Sequence, residues 1–524
     1  MLSTRLSALC DLPSSALCGF HKIPPIFFII FPFIVLFCYL LYVYQARPRP
    51  LPGIPLVQPD GEHSVSGRTF SQHARHLLLK GVQQYPGQPF QVMTTNGPRI
   101  VLPNDFADEI KERPELEFFN NFGLPYKGFE AHKDSFEGND GILPRTVRTK
   151  LTQRLGLTTG CMAEEASEVL KEVFGNDSTW RVSVLKKDVQ EIAARMSSRV
   201  FLGRDLARDS RWLKIAKDHT FQIFRAVLQL NQLPKPLRWP LQWFLPNCKA
   251  LRRQVSDARR IIAPETQKRI ETMKARSHGE KVPKTIDALS WILEVGEGKK
   301  FDPAHVQLAL SVVSINTAGE VMAQAVMDLC EHPELVLALR EEIIQVVKAN
   351  GWQKSTFYQL RLMDSFLKES QRVHALNWYR MKHHVRRTFT LSDGTVLPAG
   401  ATVSVAANTS DDPALFPMPD RFIPDRFLKL RNETGEENKW QFVSLHPSLM
   451  TFGYGQHACP GRFFAAAEIK TFLCFLILRY DLRFLKGQGR PQDGNIEGVV
   501  YVMPDSKIEV RRRKEEICLE DVCK

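Results

Sequence analysis

A cysteine in a glycine-rich loop is the residue of this sequence best suited to metal chemistry. Cys459 lies between Gly455 and Gly461 in the stretch FGYGQHACPGR, residues 452–462, and an apolar helical pattern follows over 462–480. Glycines let a backbone approach a flat ligand closely, and the amino terminus of a helix favours a thiolate over a thiol. A buried structural cysteine is the alternative. A zinc site is disfavoured because no C-x-x-C and no second Cys or His pair occurs at suitable spacing.

The spacing F-x-x-G-x-x-x-C-x-G resembles the haem-binding loop of the haem-thiolate monooxygenases, the cytochrome P-450 family. Its fixed positions are Phe452, Gly455, Cys459 and Gly461. The resemblance implies that the chain binds haem b (iron protoporphyrin IX) and that Cys459 is the axial ligand of the iron. The family usually has arginine at the position of His457, where a histidine can still donate to a haem propionate with a charge that depends on pH near neutrality.

A predicted ion-pair cluster is the second match to this family. Glu369 and Arg372 form the family's E-x-x-R, and residues three apart share one face of a helix. A buried pair needs a third partner, which the family supplies from P-x-R-F, matched here by Arg426 in residues 424–427. E-x-x-R alone is more often a surface ion pair. In this order before Cys459, the resemblance implies a structural role behind the haem.

The apolar stretch 302–330 resembles the family's long helix above the haem. Asn316 and Thr317 fall where the family has an acid and a threonine, so the resemblance implies that Thr317 hydrogen-bonds dioxygen and helps deliver protons. An amide cannot release a proton as a carboxyl can, so the proton path would run through water or through Glu320, one turn along. The alternative for a threonine inside a helix is a hydrogen bond to its own preceding turn.

Contacts to the haem propionates are only partly indicated. His383 or His384, just before a predicted hairpin, lies near a position from which the family often contacts a propionate. The family's helical W-x-x-x-R motif is not apparent around residues 147–155, so contacts from that segment stay unassigned.

The elements that must position these residues are mainly helical. Helical periodicity is found over residues 185–201, 212–230, 302–330, 334–348, 358–376 and 462–480. Strands are predicted at 91–94 and 99–102, in a hairpin of 388–391 with 395–397, and in a pair of 499–502 with 508–510. The pattern predicts a mainly α fold with small β-sheets, and the resemblance implies the cytochrome P-450 fold.

An amino-terminal membrane anchor is predicted at residues 26–44, which carry no charge and match the roughly 20 residues that cross a bilayer. A cleaved signal peptide and a buried core helix are the alternatives, but a signal peptide has a shorter apolar core. Arg47 and Arg49 follow the span and only Lys22 precedes it closely, which favours a cytoplasmic carboxyl-terminal part. The predicted location is the endoplasmic reticulum membrane, with a single pass.

The predicted organisation has one catalytic body. It comprises a tail (1–25), the anchor (26–44), a Pro-rich spacer (45–55), a haem-thiolate catalytic domain (56–515) and a carboxyl-terminal tail (516–524). A Pro- and Trp-rich segment at residues 233–245 either dips into the membrane surface or is an ordinary connection between helices.

Composition and charge limit the function further. The 524 residues have ordinary globular composition, which excludes a disordered chain, a collagen-like fibre and a multi-span membrane protein. The 10 cysteines are too few and too scattered for a disulfide scaffold. A net charge of +13 favours anionic lipid or an acidic protein as partners. No nucleic acid is predicted, because no dense block of Lys and Arg stands unopposed.

These features predict a membrane-anchored monooxygenase that inserts oxygen from O2 into a hydrophobic small molecule. A partner must deliver electrons, since the chain has no dinucleotide-binding motif, and an NADPH-dependent cytochrome reductase with an acidic docking face suits the net charge. The resemblance is closest to fungal secondary-metabolite enzymes such as ent-kaurene oxidase and those of meroterpenoid and indole-diterpene pathways, which implies a terpenoid or meroterpenoid substrate. A haem-thiolate isomerase or dehydratase without net oxidation, and a haem-binding sensor or electron carrier, are the alternatives.

Overall fold

The computed structural model describes residues 48–61, 64–118 and 141–522. The predicted tail and anchor, residues 1–44, lie outside these ranges. The helices are α1 (Gly67–Gln84), α2 (Ala107–Ile110), α3 (Ile142–Thr146), α4 (Thr159–Phe174), α5 (Leu185–Leu202), α6 (Arg204–Ala207), α7 (Ser210–Asn231), α8 (Lys235–Leu241), α9 (Pro246–Ser277), α10 (Ala288–Val295), α11 (Pro303–Glu331), α12 (Pro333–Asn350), α13 (Thr356–Gln359), α14 (Arg361–Val373), α15 (Arg426–Leu430), α16 (Arg462–Arg479) and α17 (Leu519–Val522).

The strands form small sheets beside these helices. They are β1 (Phe90–Thr94), β2 (Gly97–Leu102), β3 (Leu116–Phe118), β4 (Arg181–Val184), β5 (Tyr379–Val385), β6 (Phe389–Thr390), β7 (Val396–Leu397), β8 (Thr402–Ala406), β9 (Tyr480–Phe484), β10 (Gly494–Ile496), β11 (Val499–Tyr501) and β12 (Lys507–Arg512). The largest sheet has the order β1-β2-β8-β5-β3, and the others are β4-β12-β9, β10-β11 and β6-β7. The mainly α fold with small sheets is confirmed.

Helix α11 is the central element of the core. Asp302 caps its amino terminus by accepting from the Ala304 N–H, and Pro303 occupies the first turn, where its missing N–H costs nothing. The helix is apolar on most sides, as a core helix is, and it packs against α5, α7, α9 and α16. Although α11 is long and apolar enough to cross a membrane, most of it is buried inside the protein.

Helix α16 connects the glycine-rich loop to this core. It begins at Arg462, directly after Cys459 and Gly461, and it packs against α4 and α11. Nearly every side chain from Phe464 to Arg479 is buried. The loop that carries Cys459 is therefore fixed at its carboxyl end by a fully packed helix.

The predicted single helix over residues 358–376 is wrong. Leu360 has a ψ of 70°, which interrupts the helix between α13 and α14, and α14 ends at Val373. The periodicity continues across the break because both short helices bury apolar faces. The E-x-x-R residues lie on α14, as the sequence predicts.

The predicted pairing of strands 499–502 and 508–510 is also wrong. β11 pairs with β10 through a two-residue turn at Glu497 and Gly498, both with positive φ, whereas β12 pairs with β4 and β9. A two-residue turn with positive φ at both positions suits the twist of a hairpin. The other predicted hairpin is confirmed, since β6 pairs antiparallel with β7.

The two segments that flank the predicted catalytic domain are attached to it where the structure describes them. The Gln91 side chain on β1 hydrogen-bonds the backbone of Leu51 and Ile54, in the predicted spacer. Leu519, in the predicted carboxyl-terminal tail, is fully buried in the main hydrophobic core.

Candidate functional site

The glycine-rich loop holds Cys459 by backbone contacts. The Cys459 N–H donates to the Phe452 carbonyl over 2.7 Å, and a short 3₁₀ turn spans Gly455–His457. Gly455 has a φ of +72°, and a Cβ there would lie 2.3 Å from the Lys111 carbonyl oxygen. Only glycine meets both conditions, so Gly455 shapes the loop.

The Cys459 sulfur lies between opposing electrostatic influences. Burial raises the pKa of the Cys459 thiol, while the backbone N–H groups of Gly461 and Arg462 act to lower it. Backbone donors of this kind stabilise a thiolate, and a bound metal deprotonates a coordinating thiol outright. No group of three or more His, Cys, Asp or Glu side chains able to hold a metal occurs in the described ranges.

Several buried polar atoms around this loop lack a partner among the described residues. Within those ranges, His457 Nε2, Arg462 Nε and Nδ1 of His383 on β5 have no hydrogen-bond partner. The His383 and His457 rings lie 5.1 Å apart. Burial lowers the pKa of both imidazoles, that of His383 to about 3. A neutral imidazole still offers one N–H donor.

A buried cation on the same strand also lacks an acceptor among the residues that the structure describes. Arg380 is 8% exposed, and no hydrogen bond or ion pair joins its guanidinium to another residue in the described ranges. Burial lowers its pKa to about 10. A buried charge without a counter-charge is costly. The acidic propionates of haem would satisfy Arg380, His383 and His457, so the residues present fit the predicted cofactor.

The two alternative histidines differ in position. His383 is 1% exposed and lies against His457, whereas His384 is half-buried and follows it on β5. Successive side chains of a strand point to opposite faces, so only His383 belongs to the group around the loop. Of the two candidates for a propionate contact, the structure therefore favours His383.

Arg148 is a functional candidate that the sequence did not reveal. It lies in a π-helical segment, Val147–Leu151, and its Nη2 donates to the Gln456 carbonyl of the loop over 3.0 Å. A Cβ at Gly461 would lie 3.8 Å from Val147 Cγ1, so this segment borders the loop. π-Helical turns often occur at functional sites. The only signal in the sequence was the arginine itself.

The ion-pair cluster joins all three predicted residues. Glu369 accepts two hydrogen bonds of 2.8 Å from Arg372 and two of 3.1 Å from Arg426, and it also accepts from the Ile423 N–H. All three charged side chains are buried. The remaining guanidinium N–H groups donate to backbone carbonyls within residues 410–421. The carboxylate thus fixes α14 to this segment and to α15.

One face of α11 is exposed although the helix is central. Val313 is 41% exposed and Thr317, one turn further, is also exposed. We call these two residues the open face of α11. Helices α5, α7, α9 and α16 pack against other parts of α11. The Thr317 hydroxyl donates to the Val313 carbonyl over 2.7 Å. It can therefore accept a further hydrogen bond, but it must break its bond to Val313 before it can donate to another group.

Asn316 and Glu320 lie beside the open face of α11, since positions i, i+3, i+4 and i+7 share one side of a helix. Gln190 Nε2 donates to Asn316 Oδ1 over 2.7 Å, and Asn316 Nδ2 donates to Thr220 over 2.8 Å. Glu320 pairs with Lys186 and accepts from the Val502 N–H. Both side chains are occupied by neighbouring elements. The structure does not bring the Asn316 amide together with the Thr317 hydroxyl, since consecutive residues of a helix point about 100° apart.

The cytochrome P-450 family model matches residues 139–511. Cytochrome P450 monooxygenase bsc11 of Alternaria brassicicola is 37% identical over 490 residues, covering 92% of this chain and 93% of the relative. Monooxygenase adrA of Penicillium rubens is 38% identical, covering 86% and 88% of the two chains. Cytochrome P450 monooxygenase 1 of Gibberella fujikuroi is 38% identical over 83% of this chain and all of its own length. The chain belongs to the cytochrome P-450 family of haem-dependent monooxygenases.

Proposed function

We propose that this monooxygenase oxidises a hydrophobic terpenoid or meroterpenoid intermediate of fungal secondary metabolism, at a membrane, with electrons from an NADPH-dependent reductase. The open face of α11 is the observation that carries the proposal. It presents an exposed valine side chain and a single hydroxyl, and a mainly apolar surface of this kind suits an apolar molecule. The resemblance to enzymes of terpenoid pathways supports the substrate class.

In this proposal the chain's own residues hold the cofactor and exclude water. Cys459 would bind the haem iron through its sulfur, and Arg148, Arg380, His383 and His457 would bind the propionates. Thiolate-ligated haem supplies the cleavage of the O–O bond when it is bound. Thr317 supplies the hydroxyl of the open face of α11, and Val313 supplies its apolar side chain.

A basic surface beside the loop supports an acidic redox partner. Arg145 and Arg148 are exposed, and Lys150 and Arg154 follow them at half-buried positions. Glu294 is the carboxylate that pairs with both Lys150 and Arg154, at 3.0 and 3.7 Å. Since Arg148 also contacts the Cys459 loop, a reductase with an acidic face would dock close to the cofactor.

An exposed apolar surface supports membrane contact in addition to the predicted anchor. Large apolar side chains are exposed along the end of α7, along α8 and before α9, a surface that we call the 221–244 patch: Phe221, Phe224, Leu228, Leu237, Trp239, Trp243 and Phe244. Phe244 is 73% exposed. Aromatic side chains beside basic ones are typical of segments that lie in a bilayer interface. The patch favours the first of the two interpretations of residues 233–245.

The experiment that tests the function uses microsomes from a host that expresses this chain with a cytochrome reductase. Metabolites of hosts with and without the chain identify the substrate, and labelled O2 is then supplied with NADPH. We expect label in the product only when NADPH is present. Conversion without NADPH would indicate a redox-neutral reaction, and no conversion with normal haem content would indicate a sensor.

Replacing Thr317 by alanine should increase peroxide release. The Thr317→Ala variant loses the only hydroxyl of the open face. A hydrogen bond to a charged group contributes about 1.5–3 kcal/mol, so its loss should change the rate of peroxide release by about tenfold or more. We expect less product and more peroxide per NADPH, with normal haem content. Thr272→Ala is the control, because the half-buried Thr272 of α9 also bonds its own preceding turn. Unchanged peroxide release in Thr317→Ala would remove Thr317 from the reaction.

Arginines placed in residues 26–44 should convert the full chain from an integral to a peripherally bound membrane protein. Further changes in the 221–244 patch should then release it from membranes. Val35→Arg with Leu36→Arg costs roughly 2.5–3.5 kcal/mol per residue for insertion. We expect this variant to resist a salt wash but not a carbonate wash, because the 221–244 patch still binds. Adding Trp239→Ser and Phe244→Ser should make it soluble, whereas Val35→Leu with Leu36→Val should remain integral. A carbonate-resistant double-arginine variant would contradict the anchor, and continued sedimentation of the quadruple variant would contradict the patch.

A further inference from the structure

The Asn316 side chain joins three helices. It accepts from Gln190 Nε2 of α5 over 2.7 Å and donates to Thr220 Oγ1 of α7 over 2.8 Å. An amide makes both bonds at once because it carries an acceptor and donors. All three side chains are half-buried, and both distances are typical of good hydrogen bonds. We call this arrangement the Asn316 clasp.

A second polar contact between α5 and α11 lies one turn from the clasp. Lys186, four residues before Gln190, pairs with Glu320, four residues after Asn316. The two helices therefore run antiparallel, with polar contacts spaced at the helical repeat of i to i+4. Glu320 is also fixed by the Val502 N–H. Asn316 adds a contact between α11 and α7, which is also joined to α5 by the Lys217–Glu191 pair and the Trp212–Ser198 bond.

The position of Thr220 connects the clasp to an exposed surface. Phe221, the next residue of α7, is 51% exposed and begins the 221–244 patch. Beyond Thr220, α7 meets α11 through a small apolar cluster that includes Ile223 and Val312. The Asn316–Thr220 bond therefore lies close to the apolar contact between α7 and α11 and next to Thr317 in the sequence of α11.

We propose that Asn316 is a positioning residue that holds α7 against α11 and so shields the open face of α11 from water. It carries no proton. The proposal rests on the proposed electron supply. When water enters beside Thr317, O2 takes up two electrons from NADPH and two protons and is released as hydrogen peroxide. The residue that replaces the family's acid thus acts, through helix packing, on the coupling of NADPH consumption to product formation.

Hydrogen exchange of the haem-loaded full chain in detergent tests the clasp without the reductase or a substrate. Thr220→Val removes the acceptor for Asn316 Nδ2, and Asn316→Leu removes both bonds. We expect backbone amides of α7 to exchange about three- to tenfold faster in each, as loss of a neutral hydrogen bond allows. Asn316→Asp should exchange like the wild type, because the carboxylate accepts from both Gln190 and the Thr220 hydroxyl. Thr266→Val on α9, which removes a bond within one helix, is the control.

A second measurement uses NADPH-driven peroxide release with a cytochrome reductase and no substrate, at several pH values. We expect peroxide release to rise in the two variants whose α7 amides exchange faster, Thr220→Val and Asn316→Leu. If Asn316→Leu does not fold, Thr220→Val alone decides, since it deletes one contact at a half-buried site. Unchanged α7 exchange in Thr220→Val would overturn the proposal. A new acidic limb in the pH profile of Asn316→Asp, with less peroxide than the wild type, would instead assign proton delivery to this position.

Discussion

Cys459→Ser is expected to abolish the absorbance band that ferrous thiolate haem gives with carbon monoxide and to reduce turnover to background. A serine hydroxyl is not deprotonated near neutrality as a metal-bound thiol is, so the iron loses the electron-rich ligand that favours O–O cleavage. The N–H groups of Gly461 and Arg462, which favour the thiolate, would then face a neutral hydroxyl. The measurement is the reduced carbon-monoxide spectrum together with haem content per chain.

The matched control is Cys161→Ser on α4. Cys161 is half-buried and its Sγ donates to the Thr158 carbonyl over 3.2 Å, a bond that a serine hydroxyl can also make. We expect a normal spectrum and normal turnover from this variant. An unaltered carbon-monoxide band in Cys459→Ser, or its loss in Cys161→Ser, would place the sulfur ligand elsewhere.

Features set by local backbone chemistry could be predicted from the sequence. Gly455 requires a positive φ and space for the Lys111 carbonyl, and the glycine pattern around Cys459 reflects these requirements. Glu369 and Arg372 share a helix face because they are three residues apart. Helix α11 could be predicted because its apolar length exceeds that of ordinary core elements.

Features set by contacts between distant segments could not be predicted. Arg148 bonds the Gln456 carbonyl, 308 positions along the chain, and β5 lies beside the loop through the contact of His383 with His457. The neighbour relation of Asn316 and Thr317 suggested a shared role, but their side chains point in different directions around α11. The wrong pairing of β11 and β12 has the same origin, since adjacency in sequence does not determine which sheet a strand joins.

The second large effect is expected at Glu369. In Glu369→Ala, Arg372 and Arg426 remain buried without the carboxylate that accepts from both. Breaking a buried ion pair by removing one partner costs about 3–5 kcal/mol. Backbone carbonyls near residues 410–421 still accept from both guanidiniums, but they carry no counter-charge. We expect a lower midpoint in urea and a greatly reduced yield of haem-loaded protein.

Glu516→Ala provides the comparison, because Glu516 also pairs with an arginine three residues away. The Arg513–Glu516 pair is partly exposed, and exposed pairs contribute about 0–1 kcal/mol. The urea midpoint of Glu369→Gln should lie between those of Glu369→Ala and Glu516→Ala, since an amide oxygen retains an acceptor but loses the charge. Equal urea midpoints for Glu369→Ala and Glu516→Ala would mean that α14 is not held through this carboxylate. In that case packing alone, and not charge pairing, would fix the segment behind the haem.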